Sequence, residues 1–318
     1  MRAIVMHRTG GPEVLGLEDV PVPVAAAGQV LIRTEAIGAS YAETLLRSGA
    51  FPVSGGLPMV PGIEAAGVVT AVGDGVEPAF VGRRVVVLDT SGGTYAEYVA
   101  SPADAVSEIP AGLSAVDAVA VTGMAATALA VLGQAALVGG ETVLIESAAG
   151  SVGGYLGQLA RRSGAGRIIG TAGSAAKRDL ALHRGFDEVV NHRDGDWQER
   201  LPKGIDAVFE CIGGESSRRV LDAMTPGTGR MMSYGLLSGE WPKIEPADLD
   251  ARGLRLVDCS RQDGWIQRVK DARAEVLDLA VRGHLSPLID STLPLAEAAK
   301  AHQRFENRLA AGKIILTP

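Results

Sequence analysis

The chain has 318 residues, of which 47% are hydrophobic and 21% charged, and its net charge is −7. At about 150 residues per domain, this length predicts two domains and excludes a small disulfide-stapled scaffold. The composition is typical of a folded protein rather than a disordered one. Lys and Arg residues are scattered, so no basic patch points to nucleic acid as a partner.

Two cysteines, Cys211 and Cys259, are too few for a disulfide framework or for a zinc site rich in thiolates. The apolar run before His7 is too short for a signal peptide. Both observations favour a protein of the reducing cytoplasm.

Short apolar runs broken by glycine and proline predict a compact β domain up to about residue 114. The predicted strands are Ala3–Met6, Gln29–Ile37, Ala66–Val72, Arg84–Leu88 and Thr94–Val99.

The next segment, Ala118–Gly140, is uncharged and long enough to span a bilayer. It is mostly Ala, Gly and Thr, and it is flanked by Asp117 and Glu141 rather than by basic anchors. We therefore predict a helix of a soluble protein and no membrane partner.

Strands and helix-like segments then alternate, which predicts an α/β fold with a doubly wound parallel sheet. The predicted strands are Thr142–Glu146, Arg167–Thr171, Glu188–Val190, Ala207–Cys211, Arg230–Tyr234 and Gly253–Ser260. Helices are predicted at Trp265–Arg282 and Ala296–Arg308, before a closing strand at Lys313–Leu316.

The sequence VLIESAAGSVGG places Ala148, Gly150 and Gly153 in the frame G-x-G-x-x-G, between a predicted strand and a helix. In dinucleotide-binding folds, such a loop lets the backbone approach a pyrophosphate at the helix N-terminus. Alanine replaces the first glycine of the frame. The alternative interpretation is a structural turn of an unrelated α/β sheet.

The next predicted strand ends in GTAGSAAKR, where an NAD-binding site normally carries an acidic residue for the ribose hydroxyls. The absence of an acid, with Ser174, Lys177 and Arg178 in its place, favours NADPH and its 2′-phosphate. Ser174 is equally suited to cap the following helix, and Lys177 to a solvated helix surface.

Seven segments spread over nearly the whole chain carry a family likeness: AIGASYAETLLRSGAFP, PGIEAAGVVTAVG, GGTYAEYV, SAAGSVGGYLGQLAR, IGTAGSAAK, NHRDGDW and GKIIL. In this order they resemble the zinc-independent medium-chain dehydrogenase/reductase family, close to NADPH-dependent quinone oxidoreductases and zeta-crystallin. The resemblance implies a GroES-like β-rich catalytic domain (1–114), a Rossmann NADPH-binding domain (115–259) and a C-terminal return to the catalytic domain (260–318). It also implies a cleft between the domains and a homodimer.

The resemblance assigns cofactor-binding residues by position. The pyrophosphate would be contacted by Ala148, Ala149, Gly150, Ser151, Val152 and Gly153, and the 2′-phosphate by Gly173, Ser174, Lys177 and His192. The ribose and nicotinamide would be lined by Cys211, Ile212, Gly213, Tyr234, Gly235 and Leu236, with Thr127 nearby.

The resemblance also bears on metal. Zinc-dependent relatives carry an early cysteine and a histidine beside the glutamate of a G-H-E motif, which reads Gly62-Ile63-Glu64 in this chain. We therefore expect no metal, and a structural role for Glu64 in its loop.

Without a metal, a hydride acceptor must be activated, as in a quinone or an α,β-unsaturated carbonyl, and needs a hydrogen-bond donor at its oxygen. The candidate catalytic residues are Ser40, where relatives commonly carry asparagine, and Tyr41, which either supplies a proton or fills the cleft wall. Glu43 is expected to fix Arg47. Leu45, Phe51, Leu236 and Leu237 are either the wall of a dry substrate pocket or core.

We therefore predict an NADPH-dependent, zinc-independent reductase of a small quinone or enone. Two alternatives remain: a 2-enoyl-thioester reductase of fatty-acid or polyketide metabolism, and a non-catalytic NADPH-binding protein.

Overall fold

The computed structural model describes residues 1–53 and 55–318. Its regular elements in chain order are the strands β1 (Arg2–Met6), β2 (Leu15–Asp19) and β3 (Gln29–Ala39), helix α1 (Tyr41–Ser48), strands β4 (Glu64–Val72), β5 (Arg84–Leu88), β6 (Tyr98–Pro102) and β7 (Val106–Glu108), helix α2 (Ala115–Ala135), β8 (Thr142–Ile145), α3 (Ser151–Arg162), β9 (Arg167–Ala172), α4 (Ala175–His183), β10 (Glu188–Asn191), β11 (Ala207–Glu210), α5 (Gly214–Val220), β12 (Arg230–Ser233), α6 (Pro246–Asp250), β13 (Arg255–Asp258), α7 (Trp265–Val281), β14 (Ile289–Pro294), α8 (Ala298–Glu306) and β15 (Lys313–Thr317).

The chain divides into two compact units. One contains Met1–Gly123 and Arg273–Pro318, and the other contains Met124–Ala272. The functional domains at 1–114, 115–259 and 260–318 stay a prediction.

The first unit contains a sheet that joins both ends of the chain. Its described strands run in the order β14-β15-β3-β4-β5-β7, and β6 also pairs with β3. All these pairs are antiparallel except β14 with β15. Buried side chains of β3, β5 and β15, among them Ile32, Val87 and Ile314, form its core, as the apolar alternation predicts.

Helix α1 begins directly after β3. The Ser40 amide donates to Glu43 Oε2 at 2.6 Å, which satisfies one of the amides at the start of the helix. The helix ends at Gly49, whose φ of 86° lies in the left-handed region. This geometry fixes Ser40 and Tyr41 at one end of β3.

The second unit confirms the predicted parallel sheet. Its described strands run in the order β10-β9-β8-β11-β12-β13, and every pair is parallel. The strands read as continuous apolar runs because both faces of the sheet are covered. Leu144, Ile169, Val208 and Met231 lie in its core.

Helix α2 contains most of the uncharged segment of the sequence. It is long and apolar enough to cross a membrane, yet 67% of its most apolar stretch is buried inside the protein. It is therefore a core helix, as predicted.

Four strands differ from the prediction. The strand predicted at Thr94–Val99 is observed as β6, at Tyr98–Pro102, and β2, β7 and β14 were not predicted. The segment before β6 instead makes single backbone bonds, such as Ile4 N to Tyr95 O at 2.8 Å.

Candidate functional site

The order in which strands are added to the parallel sheet reverses at one point, next to β8. From β8 the chain adds β9 and β10 on one side, and then adds β11, β12 and β13 on the other. Loops at the carboxyl ends of β8 and β11 therefore face a crevice, which is where ligands of doubly wound sheets bind. These loops are the glycine loop, defined as residues 147–153, and the turn Cys211–Gly213.

The glycine loop folds back tightly on itself. Ser147 has φ 55°, which is uncommon for a residue other than glycine, and its carbonyl accepts the Gly150 amide at 2.8 Å. A Cβ on Gly153 would overlap the Ser147 carbonyl oxygen and lie 3.0 Å from Glu146 O. Gly153 thus allows α3 to pack on the strand, the role that the motif predicts for it.

The first turn of α3 offers amides for an anion. Gly150 is its N-cap, and no side chain caps the helix among the described residues. Free amides at a helix N-terminus bind phosphate groups well, since the helix dipole adds to the hydrogen bonds.

Ala148, which replaces a glycine of the motif, has a structural explanation. Its side chain is fully buried, and its amide donates to Thr171 O at 2.9 Å. A Cβ on Gly170 of β9 would lie 2.6 Å from the Ala148 Cβ. Gly170 therefore makes room for the methyl group of Ala148. The loop can thus keep its backbone conformation although alanine replaces the first glycine of the motif.

Two further predicted segments pack on each other beside the loop. Glu146 Oε2 accepts the Cys211 and Ile212 amides at 3.0 and 3.2 Å. A Cβ on Gly235 would lie 3.1 Å from the Cys211 Cβ, and the Leu237 amide donates to Cys211 O at 3.0 Å. Cys211–Gly213 and Tyr234–Leu236 are therefore neighbours. Burial raises the pKa of the Cys211 thiol well above its usual value, so the thiol is neutral.

The end of β9 gathers the residues predicted for the 2′-phosphate. A Cβ on Gly173 would lie 2.7 Å from His192 Nε2 and 3.3 Å from Arg193 Nε. Ser174 is the N-cap of α4, and its side chain accepts the Lys177 amide at 3.3 Å. The capping role of Ser174 is thus observed, and it places Lys177 in the first turn of α4.

Thr127 lies half-buried on α2. Its place near the cofactor stays a prediction, as do the binding roles of the residues above.

In the first unit, Ser40 and Tyr41 differ in accessibility. Tyr41 is 37% exposed. The Ser40 Oγ atom is buried. Only Tyr41 therefore presents its side chain to an incoming molecule.

The expected contact between Glu43 and Arg47 is wrong. Glu43 accepts the Ser40 amide at 2.6 Å, the Ile63 amide at 2.9 Å and the Tyr95 hydroxyl at 2.9 Å. Burial raises the pKa of Glu43 to about 7. Arg47 is instead held by other groups of this unit, which are His302 Nδ1 at 3.3 Å, Gly10 O and Glu306.

Glu64 also differs from its expected place in a loop. It is the first residue of β4, is fully buried and pairs with Lys313 of β15. Gly38 of β3 lies between these strands, and a Cβ there would come 2.8 Å from Glu64 Oε2. The missing side chain at Gly38 leaves room for the ion pair.

The four apolar candidates for a substrate pocket are not core residues. Phe51 is 39% and Leu237 is 37% exposed, and Leu45 and Leu236 are half-buried. Each lies at the surface of its own unit.

The residues of the second unit fit a dinucleotide. The loop supplies helix amides and a close backbone approach for the pyrophosphate, and the end of β9 supplies donors and positive charge. Within residues 1–53 and 55–318, no group of three or more His, Cys, Asp or Glu side chains is placed to hold a metal ion.

Three residues at the edge of the parallel sheet, beside the glycine loop and the end of β9, were not predicted from the sequence. Arg193 follows the predicted His192 directly, and its charge in NHRDGDW was a usable signal. Ser147 gave none, because a positive φ at a residue other than glycine leaves no mark in the sequence. Glu146 was recognised only as the end of a strand.

Two family models match the chain: the alcohol dehydrogenase GroES-like domain over residues 26–111, and zinc-binding dehydrogenase over residues 184–316. The quinone oxidoreductase of Sus scrofa is 34% identical over 324 residues, covering 99% of this chain and 97% of that protein.

Among solved structures, the quinone oxidoreductase of Escherichia coli in complex with NADPH superposes with a TM-score of 0.90 at 32% identity. A mycobacterial protein in complex with NADPH has a TM-score of 0.88 at 32% identity. Each match covers 100% of both chains. Relatives this similar over the full length establish the family, and the chain belongs to the quinone oxidoreductase family of medium-chain dehydrogenases/reductases.

Proposed function

We propose that this chain is an NADPH-dependent reductase of quinones or α,β-unsaturated carbonyls that works without zinc. The observation that carries the proposal is the edge of the parallel sheet, where the uncapped N-terminus of α3 and the basic end of β9 flank the crevice at β8 and β11. The full-length similarity to quinone oxidoreductases, one of them solved with NADPH, supports the acceptor class and the cofactor.

NADPH, when bound, supplies a hydride to the acceptor. The first amides of α3, at Ser151, Val152 and Gly153, would hold the pyrophosphate, and the Cys211–Gly213 turn would line the adjacent ribose. The chain must also stabilise the negative charge that develops on the acceptor oxygen and provide a proton there.

Residue chemistry supports a mechanism without zinc. Ile63 stands where zinc-dependent relatives carry a ligand, and an isoleucine side chain has no donor atom. Burial raises the pKa of the Cys259 thiol to about 12 and that of Cys211 well above its usual value. Neither thiol is a thiolate at neutral pH, the form that binds metal.

We assign the donor role at the acceptor oxygen to Tyr41, because its side chain is accessible whereas the Ser40 hydroxyl is buried. Replacing Tyr41 with phenylalanine is expected to lower kcat with the best acceptor about 100-fold and to leave the NADPH affinity unchanged. Ser40→Ala is expected to cause a smaller loss, because its amide still donates to Glu43. Steady-state kinetics measures both effects.

Tyr98→Phe, on β6, is the matched control for the loss of a tyrosine hydroxyl and is expected to keep the activity of the parent. If kcat falls with Ser40→Ala and stays unchanged with Tyr41→Phe, the roles of the two residues are reversed.

Lys177 and Arg193 are assigned to the 2′-phosphate. Hydrogen bonds to charged groups contribute about 1.5–3 kcal/mol, so Lys177→Ala and Arg193→Ala are each expected to raise the Kd of NADPH roughly 10-fold or more. The Kd of NADH, which lacks that phosphate, is expected to stay the same. Quenching of tryptophan fluorescence measures both constants, with the exposed Lys203→Ala as control. Equal losses for the two cofactors would contradict the assignment.

The deciding experiment follows NADPH absorbance as chelator-treated enzyme meets quinones, 2-enones and a 2-enoyl thioester, with NADH in parallel and controls without enzyme. Turnover of quinones or small enones with NADPH supports the proposal. A clear preference for the thioester favours an enoyl-thioester reductase, and tight NADPH binding without turnover favours a binding protein. Activity that is lost on chelation and restored by zinc would overturn the metal-free mechanism.

We also propose a cytoplasmic homodimer. Composition and family membership support it, and sedimentation of the purified protein tests the dimer.

A further inference from the structure

Two glutamates lie at the carboxyl ends of the neighbouring strands β8 and β11, where Glu146 directly follows β8 and Glu210 is the last residue of β11. Ile145 of β8 is in register with Phe209 of β11, so the next residues along the two strands, Glu146 and Glu210, stand side by side. The Glu146 amide continues the ladder and donates to Phe209 O at 3.1 Å. Both glutamate side chains are fully buried.

The pair is bound to the turn that follows β11. Glu146 Oε2 accepts the Cys211 and Ile212 amides at 3.0 and 3.2 Å. Glu210 Oε1 accepts the Gly213 amide and, at 2.9 Å, the Ser217 hydroxyl. Glu146 also directly precedes the glycine loop, so the pair links the loop to the turn.

Among the described residues, no positive charge compensates the two carboxyl groups. Neither glutamate forms an ion pair with a described residue, and Glu146 Oε1 is buried without a hydrogen-bond partner. The titratable groups that face the pair are the Cys211 thiol and the Tyr234 hydroxyl. Burial and the nearby carboxyl groups raise both pKa values, so both groups are neutral. The Ser217 and Ser233 hydroxyls, which also face Glu210, carry no charge.

Two adjacent buried carboxylates without a cation cannot both ionise near neutral pH, because desolvation and mutual repulsion penalise the doubly charged state. One proton is therefore retained between them. In agreement, burial and the neighbouring Glu210 raise the pKa of Glu146 to about 8, and burial raises the pKa of Glu210.

We propose that Glu146 and Glu210 share one proton, and that this proton makes them a positioning pair that holds the Cys211–Gly213 turn against the glycine loop. Loss of the proton drives the two carboxylates apart, displaces the turn and weakens cofactor binding in alkaline solution. The second part rests on the proposed function, since it requires the dinucleotide to bind at this edge.

The main test measures the Kd of NADPH between pH 6 and 9.5 for the parent protein, Glu146→Gln and the exposed control Glu199→Gln. In the parent and the control, Kd is expected to rise by up to about tenfold per pH unit above pH 8. In Glu146→Gln the amide keeps the hydrogen-bonded pair at a single charge, and the rise is expected to disappear. Titration of the cofactor or of Lys177 affects all three proteins equally and cancels in the comparison. The same rise in all three would overturn the positioning role.

A second measurement needs no cofactor and separates this inference from the proposed function. Between pH 5 and 8 the folded protein holds a proton on the pair that the unfolded chain has released. The thermal midpoint of the parent is therefore expected to fall with rising pH more steeply than that of Glu146→Gln. Glu210→Gln serves in the same way if Glu146→Gln does not fold. Identical slopes would overturn proton sharing, even if NADPH binds well. If NADPH fails to bind to the parent at any pH, the positioning role falls with the proposed function, and the slopes alone decide whether the proton is shared.

Discussion

Replacing Lys313 with methionine is expected to lower the free energy of unfolding by about 3–5 kcal/mol. Lys313 is 1% exposed and is paired with the fully buried Glu64. Its removal leaves a carboxylate among apolar strands, where the desolvation of the charge is no longer compensated. Arg273 also interacts electrostatically with Glu64. Its guanidinium donates to Ala105 O and Leu88 O at 3.2 and 3.3 Å, so we expect it not to replace the lysine. Urea unfolding followed by circular dichroism measures the loss.

The double variant Glu64→Met/Lys313→Met is expected to be more stable than Lys313→Met alone, because it removes the uncompensated charge together with its partner. Lys300→Met, which breaks an exposed pair with Glu297, controls for loss of a lysine and is expected to cost about 1 kcal/mol or less. If Lys313→Met loses no more free energy of unfolding than Lys300→Met, the buried pair does not stabilise the sheet.

Replacing Gly153 with alanine is expected to weaken NADPH binding roughly 10-fold or more, since each lost hydrogen bond to a charged phosphate costs about 1.5–3 kcal/mol. The added Cβ would overlap Ser147 O and lie 2.9 Å from Ser147 C. Both are backbone atoms of a loop that cannot easily retreat, so α3 must shift and carry its first amides away from the pyrophosphate. Titration with NADPH measures the change in Kd.

Gly133→Ala in α2 is the matched control, because a Cβ there meets nothing within 4 Å. It is expected to leave the Kd unchanged and to stabilise the helix slightly. Binding by Gly153→Ala with the affinity of the parent would contradict the role of the loop.

The parallel sheet could be predicted in detail because its strands are short apolar runs separated by helices, a pattern with few alternatives. The first strand predicted in this unit, Thr142–Glu146, starts at the same residue as β8 and ends one residue after it. In the first unit β2, β7 and β14 were missed, since half-exposed strands such as Leu15–Asp19, Val106–Glu108 and Ile289–Pro294 carry little apolar signal. Their pairing depends on partners far away in the sequence.

The candidate site also has parts that the sequence predicts and parts that it does not. The glycine loop and the end of β9 were predictable because their backbone requirements select glycine and small residues, which the sequence displays. The partners of Glu43 were not, because Ile63 and Tyr95 reach it only through the fold of the sheet. The pairing of Glu146 with Glu210 likewise depends on the register between strands separated by two further strands in the sequence.

The position of β15 has a consequence for how the protein is made. The strand lies between β14 and β3, so on the ribosome β3 must wait for residues 313–317 before its sheet is complete. Residues 124–272 emerge earlier and contain all the strands of the parallel sheet described here. Since domains fold as units during synthesis, we expect the middle of the chain to fold before its beginning. During that interval the edge of β3 at residues 37–39, which β15 later covers, is open to wrong pairing.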